Sequence, residues 1–348
     1  MQDRDAPSQQ ESDSGSVAVS VLIPVLNEAD HIEGTIERLR RQTFSGGLEF
    51  LLIDGDSTDG TTAIIERLAE TDPRVRIIRN PRRTISSALN LGLRAARGEV
   101  IARVDARSLC EPDYLARGVE RLSRGDVASV SGPALAVGRN DGSRRIALAL
   151  TTPLGIGGAS FRRSPEGEIE VDSGAFGVWR RETLEDAGGW DESWLVNEDG
   201  ELAARIKERG GRIVCVPEMA MDYVPRDTLR ELARQYWRYG LYRAKTCGAH
   251  PTSMRRSHLL PPALALTTAA GLTARPTVAR PARLALAVYA AALIATGASR
   301  VAVAGPRDAA GVVPALATMH LSWGLGFLVG CVRFGPPFSA VARALAGN

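Results

Sequence analysis

The chain reads FLLIDGDSTDGT from Phe50 to Thr61. The first half of this stretch is apolar and has the length of a buried β-strand, which ends at Asp54. Ser57–Asp59 then offer side-chain caps to a helix. In an open α/β sheet, ligands bind beyond the carboxyl ends of the strands. Asp54 and Asp56 are therefore candidates for ligand binding.

The same strand–turn–helix layout recurs on both sides of this stretch. Strands that alternate with helices predict a parallel sheet with right-handed crossovers, so the chain belongs to the α/β class. The further predicted elements are a strand in Ser20–Glu28 that ends in a polar pair, a helix over Asp30–Arg41, a short strand over Val75–Ile78, a helix over Thr84–Arg97 and a strand in Gly98–Asp105 that ends in a carboxylate.

In the order and spacing of its motifs the chain resembles the family 2 inverting glycosyltransferases, and most of all the branch that builds bacterial exopolysaccharides such as succinoglycan. The resemblance implies the GT-A nucleotide-diphospho-sugar transferase fold, a Rossmann-like and mostly parallel sheet flanked by helices. It also implies transfer of a sugar from a nucleoside-diphosphate donor, with UDP favoured, to a lipid-linked or glycan acceptor in cell-surface or exopolysaccharide synthesis. The matching segments are Val21–Glu28, Asp54–Thr61, Asn90–Asp105, Asp172–Arg181, Gly188–Arg205 and Gln235–Tyr239.

The composition excludes several other classes of protein. A net charge of only +3 indicates no nucleic-acid partner. The four cysteines and four histidines show none of the spacings of a zinc site.

The composition also divides the chain into three parts. Residues 1–16 are polar and are expected to form a disordered tail rather than a signal peptide. Residues 17–254 are the expected catalytic domain, which would stay in the cytoplasm. Residues 255–348 are predicted to be a hydrophobic helical region that associates with lipid of the inner membrane.

Three apolar stretches in this last region bear on the number of membrane spans. Leu259–Ala274 and Leu284–Ser299 are short for a full span, whereas Ala309–Val332 is long enough. We expect a re-entrant or interfacial hairpin followed by one or two spans. The alternative is a buried helical domain.

The resemblance assigns a nucleotide-sugar site to the loops that follow the strands and to one later helix. Glu28 and Asp56 have a simpler interpretation, because both residues also suit a helix cap. The predicted contacts to the nucleotide sugar are Pro24, Glu28, Asp54, Asp56, Asn80, Arg83, Asn90, Asp105, Arg107, Gln235, Arg238 and Tyr239.

Three of these residues share one face of a helix predicted over Thr228–Lys245. Gln235, Arg238 and Tyr239 are spaced i, i+3 and i+4. They resemble the QxxRW motif of processive family members, with Tyr239 in place of tryptophan. An interfacial helix is the alternative, because the aromatic residues here also suit a membrane boundary.

Asp105-Ala106-Arg107 stands where the family carries its DxD motif. Two carboxylates at this spacing hold Mg²⁺ or Mn²⁺ through oxygen ligands. Here Arg107 replaces the second acid, and a guanidinium cannot bind a cation. Either Asp105 holds the ion together with the diphosphate, or Arg107 supplies the positive charge itself.

An acidic pair, Glu198 and Asp199, opens a helix after a glycine-rich turn. The resemblance makes Asp199 the general base, with Glu198 as its charged neighbour. Both acids could instead complement the dipole of the helix. The resemblance also implies an acceptor-binding floor at Gly174, Ala175 and Phe176.

Two other functions remain open. A non-catalytic nucleotide-sugar-binding or scaffold protein on the same fold is suggested by Arg107. A dinucleotide-dependent oxidoreductase is disfavoured, because the loop over Pro24–Asp30 lacks the GxGxxG sequence that such enzymes need.

Overall fold

The computed structural model describes residues 16–157, 165–174, 176–273 and 275–346. Its strands are β1 (Val17–Val25), β2 (Gly47–Asp54), β3 (Val75–Arg79), β4 (Val100–Arg103), β5 (Ser108–Cys110), β6 (Ser129–Ser131), β7 (Ala134–Ala136), β8 (Ile169–Glu170), β9 (Gly177–Arg180), β10 (Ile213–Cys215) and β11 (Met221–Tyr223). Its α-helices are α1 (Ile32–Arg40), α2 (Thr61–Thr71), α3 (Ile85–Ala95), α4 (Tyr114–Ser123), α5 (Asp141–Leu150), α6 (Pro153–Ile156), α7 (Arg181–Asp186), α8 (Glu198–Glu208), α9 (Leu229–Ala249), α10 (Leu260–Gly271), α11 (Pro276–Ala298), α12 (Val301–Phe334) and α13 (Phe338–Ala346).

The described strands form a large sheet and a small one. Eight of them form a sheet in the order β3-β2-β1-β4-β9-β6-β10-β8, and β5-β11-β7 form the other. The neighbouring strands from β3 to β4 are parallel, whereas β9 runs antiparallel to both β4 and β6. The predicted α/β class and its mostly parallel sheet are therefore confirmed.

The large sheet is buried on both faces, which explains why its first strands are continuously apolar. Successive side chains point to opposite faces. Val21 and Phe50 belong to a core cluster on one face, with residues of α1 and α2. Leu22 and Leu51 belong to a second cluster on the other face, with residues of α3.

The register of the sheet brings the functional loops to one edge. Val25 at the end of β1 pairs with Asp54 at the end of β2, and Leu22 pairs with Arg103 at the end of β4. The loops that follow these strands therefore meet at a common carboxyl edge.

The C-terminal helices pack onto helices of the preceding part of the chain. A third core cluster joins Ile146 of α5, Tyr236 of α9, Leu293 of α11 and Leu316 of α12. α11 and α12 are long and apolar enough to cross a membrane, whereas α10 has only 12 residues. α12 is kinked at Gly305, whose φ of 76° lies in the left-handed region.

Candidate active site

A cavity of about 1600 Å³ opens at the carboxyl ends of the parallel strands. Loops after β1, β3 and β4 line one side of it, and α8 and α9 line another. The predicted site residues that line the cavity are Pro24, Glu28, Asn80, Arg83, Asp105, Arg107, Phe176, Glu198, Asp199, Gln235, Arg238 and Tyr239.

The loop after β1 is fixed by the acidic turn after β2. The backbone N–H of Glu28 donates to the Thr61 hydroxyl at 2.9 Å, and the N–H of Ala29 donates to the Asp59 carboxylate at 3.1 Å. α2 itself begins after Gly60, which lies in the left-handed region with φ 94°. Of the residues expected to cap α2, Asp59 accepts from the backbone N–H of Thr61 at 3.1 Å, whereas Ser57 and Thr58 bind Asn27 of the neighbouring loop.

Glu28, Asp105 and Arg107 line the charged floor of the cavity, and Glu28 pairs with Arg107 there. The Arg107 Nε–H donates to both carboxylate oxygens of Glu28, at 2.9 and 3.1 Å. The two side chains keep 21% and 17% of their surface exposed, so solvent only partly screens the pair. Burial raises the pKa of Glu28 more than the Arg107 guanidinium lowers it.

A buried arginine, which we did not predict, lies beneath this floor. The Arg103 guanidinium donates through Nε to Asp105 Oδ1 at 2.9 Å and through a terminal nitrogen to Glu198 Oε1 at 3.0 Å. A second terminal nitrogen reaches Asp105 Oδ2 at 3.3 Å. Arg103 therefore joins the strand-end carboxylate to the acidic pair of α8. An arginine in an otherwise apolar strand needs a buried partner, and that is the sequence signal that could have revealed it.

The two acids at the start of α8 have different surroundings. Glu198 is buried, and burial, opposed by Arg103 and reinforced by the charge of Asp199, raises the pKa of Glu198 to about 7. Asp199 is half-buried at the cavity wall, and its Oδ1 accepts a hydrogen bond from the N–H of Gly200 at 2.7 Å. Asp199 is thus the more accessible carboxylate of the pair.

Side chains of α9 fix Asn197, the residue that precedes Glu198 and Asp199 in the sequence. Asn197 lies in the left-handed region with φ 66°, which a non-glycine residue seldom adopts. Its amide donates to the Thr246 hydroxyl at 2.8 Å, and its amide oxygen accepts from Arg243 at 2.9 Å. The same hydroxyl accepts from Trp194 Nε1 at 3.0 Å. These contacts fix the turn from which Asp199 enters the cavity.

The predicted shared face on α9 is present at the cavity. The Gln235 amide donates to the Tyr239 hydroxyl at 3.0 Å and to the Tyr223 hydroxyl at 3.3 Å. Arg238 lies on the cavity wall and donates to the Leu195 carbonyl at 3.4 Å.

Asp54 and Asp56, two of the predicted nucleotide contacts, lie outside the cavity lining. The Asp54 carboxylate accepts hydrogen bonds from the Ser57 hydroxyl at 2.6 Å and the Thr62 hydroxyl at 2.8 Å, so the turn and the start of α2 occupy it. Asp56 forms an ion pair with Arg79 at 2.7 Å on the surface. The structure gives both acids a structural partner where we predicted a ligand.

Asn90 and Gly174 also depart from their predicted places. The Asn90 side chain donates to the carbonyl of Trp190 and accepts from its N–H, so it holds the turn before α8. Gly174 packs against Ser131 outside the main cavity. Ala175 lies outside the described residues.

The residues around Asp105 do not fit a divalent ion held by the protein. Both Asp105 oxygens already accept hydrogen bonds from Arg103, and the next candidate position is the cation Arg107. In the described part of the chain, no three His, Cys, Asp or Glu side chains lie close enough together to hold a metal ion. Mg²⁺ binding usually needs a nearly complete shell of oxygen ligands, and this floor offers guanidinium groups instead.

The far end of the cavity is apolar and is built by the helices that follow the catalytic part. Leu154 of α6, Leu264 of α10 and Trp323 of α12 line it, together with Tyr289 of α11. The Tyr289 hydroxyl and His320 Nδ1 lie 2.9 Å apart. One continuous cavity therefore joins the charged floor to an apolar region.

Comparisons with known proteins show what the chain is similar to. Residues 20–188 match the family described as Glycosyl transferase family 2. The chain is 35% identical over 316 residues to the succinoglycan biosynthesis protein ExoA of Rhizobium meliloti, covering 90% of this chain and 94% of that protein. It is 24% identical over 231 residues to the dolichyl N-acetyl-alpha-D-glucosaminyl phosphate 3-beta-D-2,3-diacetamido-2,3-dideoxy-beta-D-glucuronosyltransferase of Methanococcus voltae, covering 64% of this chain and 71% of that protein.

Solved structures share the fold. The mannosyltransferase PcManGT from Pyrobaculum calidifontis, in complex with GDP-Man and Mn²⁺, superposes with a TM-score of 0.56 at 24% identity, covering 95% of this chain and 87% of that chain. Residues 1–349 of S. aureus TarS superpose with a TM-score of 0.52 at 16% identity, covering 92% of each chain. These likenesses support the GT-A fold predicted for the catalytic part.

Proposed function

The chain belongs to glycosyl transferase family 2, and we propose that it transfers a sugar, with inversion, from a nucleoside-diphosphate donor to a hydroxyl of a lipid-linked or glycan acceptor. The observation that supports this function best is that Asp199 shares one cavity with the strand-end residues Glu28, Asp105 and Arg107. UDP is the favoured nucleotide, and exopolysaccharide or other cell-surface glycan synthesis is the proposed context, because the ExoA relative carries that name.

Asp199 is the proposed general base. It takes the proton of the acceptor hydroxyl while the hydroxyl oxygen bonds to the anomeric carbon. The bond from that carbon to the diphosphate oxygen breaks, its electron pair leaves with the diphosphate, and the carbon has oxocarbenium character in between. Glu198 is buried beside Asp199 and, when protonated, leaves the negative charge of the pair on the exposed member.

The apolar end of the cavity supports a lipid-linked acceptor. A polyprenyl or similar chain would contact Leu154, Leu264 and Trp323 while its sugar reaches Asp199. Phe176 lines the cavity and is the proposed contact for the acceptor sugar.

Membrane attachment of the C-terminal region is proposed because its helices α11 and α12 are long and apolar. Exposed apolar side chains such as Leu284, Val288 and Ile294 cover α11, although an ordinary core helix buries such residues. We keep the division into a tail (1–16), a catalytic domain (17–254) and a membrane-associated region (255–348). The proposed location is the inner membrane with the catalytic domain in the cytoplasm.

Substitution of the base tests the function. In the purified full chain, Asp199→Asn should keep nucleotide binding and lower sugar transfer by about 10²-fold or more, because the hydroxyl keeps its proton. A panel of UDP- and GDP-sugars with membrane extract as acceptor supplies the assay.

Asp113→Asn is the matched control, because Asp113 is another acid at the start of a helix and lies outside the cavity. Equal activity of the two variants would assign Asp199 to the helix dipole and remove it from catalysis. Nucleotide binding without turnover of any sugar in the unsubstituted chain would favour the non-catalytic alternative.

A further inference from the structure

The floor of the cavity carries fixed positive charge at the position where a divalent ion would be expected. Arg103 is buried and occupies both oxygens of Asp105, as described above. Arg107 stands where the family motif has its second acid, and its guanidinium donates to the Glu28 carboxylate. Arg103 and Arg107, which are four positions apart in the sequence, therefore both bring a guanidinium group to this part of the cavity.

We propose that Arg107 provides the positive charge that binds and stabilises the departing diphosphate, so that the enzyme binds its nucleotide and turns over without a divalent ion. This proposal rests on the proposed function, since it concerns the leaving group of that reaction. Arg107 keeps its proton throughout. The electron pair of the broken carbon–oxygen bond stays on the diphosphate oxygen.

Glu28 holds Arg107 in place until the sugar donor binds. The pair is half-buried, and a carboxylate with one charge is a weaker partner for a guanidinium than a diphosphate with several. The diphosphate can therefore replace Glu28 as the partner of Arg107. A guanidinium also suits phosphate geometry, because two of its N–H groups can donate in parallel.

Arg103 has a different part in the same arrangement. Its guanidinium is fully engaged with Asp105 and Glu198, so it is not available to the diphosphate without breaking a buried pair. It keeps Asp105 neutralised, so this carboxylate does not repel an incoming diphosphate. Arg103 is therefore a positioning residue, and Arg107 is the proposed catalytic one.

Calorimetry of UDP and GDP binding to the purified full chain tests the proposal. With EDTA present, the nucleotide that binds should have a dissociation constant within about threefold of its value with Mn²⁺. Arg107→Ala should weaken binding by about 10- to 100-fold in both buffers, because a charge-assisted contact is lost. Arg107→Lys should keep part of the affinity, because lysine retains the positive charge. This variant is the control in case Arg107→Ala does not fold.

A second variant moves the affinity in the opposite direction. Glu28→Gln should tighten nucleotide binding in EDTA, because Arg107 loses the carboxylate that competes with the diphosphate. Arg82→Ala is the control, since Arg82 pairs with Glu192 outside the cavity lining and its loss should leave the affinity unchanged. A merely structural Arg107 would weaken, not tighten, binding when its Glu28 partner is neutralised.

The outcomes separate this proposal from the function on which it rests. Binding and turnover that appear only with Mn²⁺ or Mg²⁺ would overturn the role of Arg107 and leave the glycosyltransferase function intact. Failure to bind UDP and GDP in either buffer would overturn both. Equal affinity in the two buffers with no loss in Arg107→Ala or Arg107→Lys would overturn the role of Arg107 alone.

Discussion

Arg103 links the two acidic centres of the cavity, Asp105 and Glu198, and the burial of Glu198 raises the pKa of its carboxyl to about 7 in spite of this contact. Glu198 is buried, while the charge of Asp199 opposes its ionisation and Arg103 favours it. Because the pKa of Glu198 is raised in the folded chain, the folded state binds more protons than the unfolded state between the two pKa values. The stability that this proton contributes is present at low pH and is lost as the pH rises through that window.

Glu198→Gln should therefore change how stability depends on pH. Between about pH 4.5 and about pH 7, the unfolding temperature of the unsubstituted chain should fall relative to that of the variant, because only the glutamate must ionise in a buried place. The glutamine amide oxygen can still accept from Arg103, so the contact geometry is kept. Thermal unfolding in detergent at several pH values measures the difference, and parallel curves for the two chains would contradict the burial argument.

The single residues also show what the sequence could predict. The alternation of strands and helices, the edge at which the loops meet and the choice of Asp199 all follow from local patterns and a family resemblance. Asp54 was predicted as a ligand contact, and the structure shows its carboxylate accepting from Ser57 in the turn and Thr62 in α2, partners that the strand pattern alone did not reveal. Asn90 was predicted to contact the donor, and its observed partner, Trp190, is 100 residues away, a pairing that local patterns do not show.

At the scale of elements, α9 connects the active site to the C-terminal helices. One side of α9 fixes Asn197 through Thr246. Another side packs closely on α12, where a Cβ at Gly326 would overlap the Trp237 carbonyl oxygen. A shift of α9 relative to α12 would thus move the turn that carries Asp199.

The same substitution at two glycines should have opposite effects on stability. Gly326→Ala should lower the free energy of unfolding by about 1–3 kcal/mol, because the methyl group enters a packed backbone contact. Gly248→Ala, near the end of α9, meets no atom within 4 Å and should raise this free energy by up to about 1 kcal/mol through helix propensity.

Unfolding temperatures of both variants in detergent check this prediction, and sugar transfer measured in parallel shows whether the α9–α12 contact supports catalysis. If both variants have equal stability, the two helices do not pack as closely as the structure shows.

At the scale of the whole molecule, α11 and α12 form a hairpin that lies along the catalytic part. Gly297 of α11 approaches Val313 of α12, and Tyr289 pairs with His320, so the two helices run antiparallel. Near the start of α12, Asp308 forms ion pairs with Arg144 and Arg145 of α5, at 3.0 and 3.1 Å.

Near its other end, α12 still contacts the catalytic part. A Cβ at Gly330 would meet the Leu241 carbonyl of α9. Both ends of α12 thus touch helices that precede the C-terminal region, which fits a hairpin held at the membrane surface better than one that crosses the bilayer. The exposed apolar side chains of α11 would then face the lipid.

Labelling of introduced cysteines distinguishes these two arrangements in membranes. Arg307→Cys reports on the α11–α12 turn, because this side chain is 83% exposed, and Arg67→Cys on α2 is the matched control in the catalytic part, with 58% exposed. Cys331 is replaced by serine in both, since the other three native cysteines are buried.

For a surface-held hairpin, a membrane-impermeant maleimide should label both positions from the same side of the membrane, because the Arg144–Asp308 pair keeps the turn beside α5. Labelling of position 307 only from the opposite side would show that α11 and α12 cross the bilayer and that the contact with α5 breaks there. A full chain that stays soluble and monodisperse without detergent would instead make these helices part of a packed helical domain.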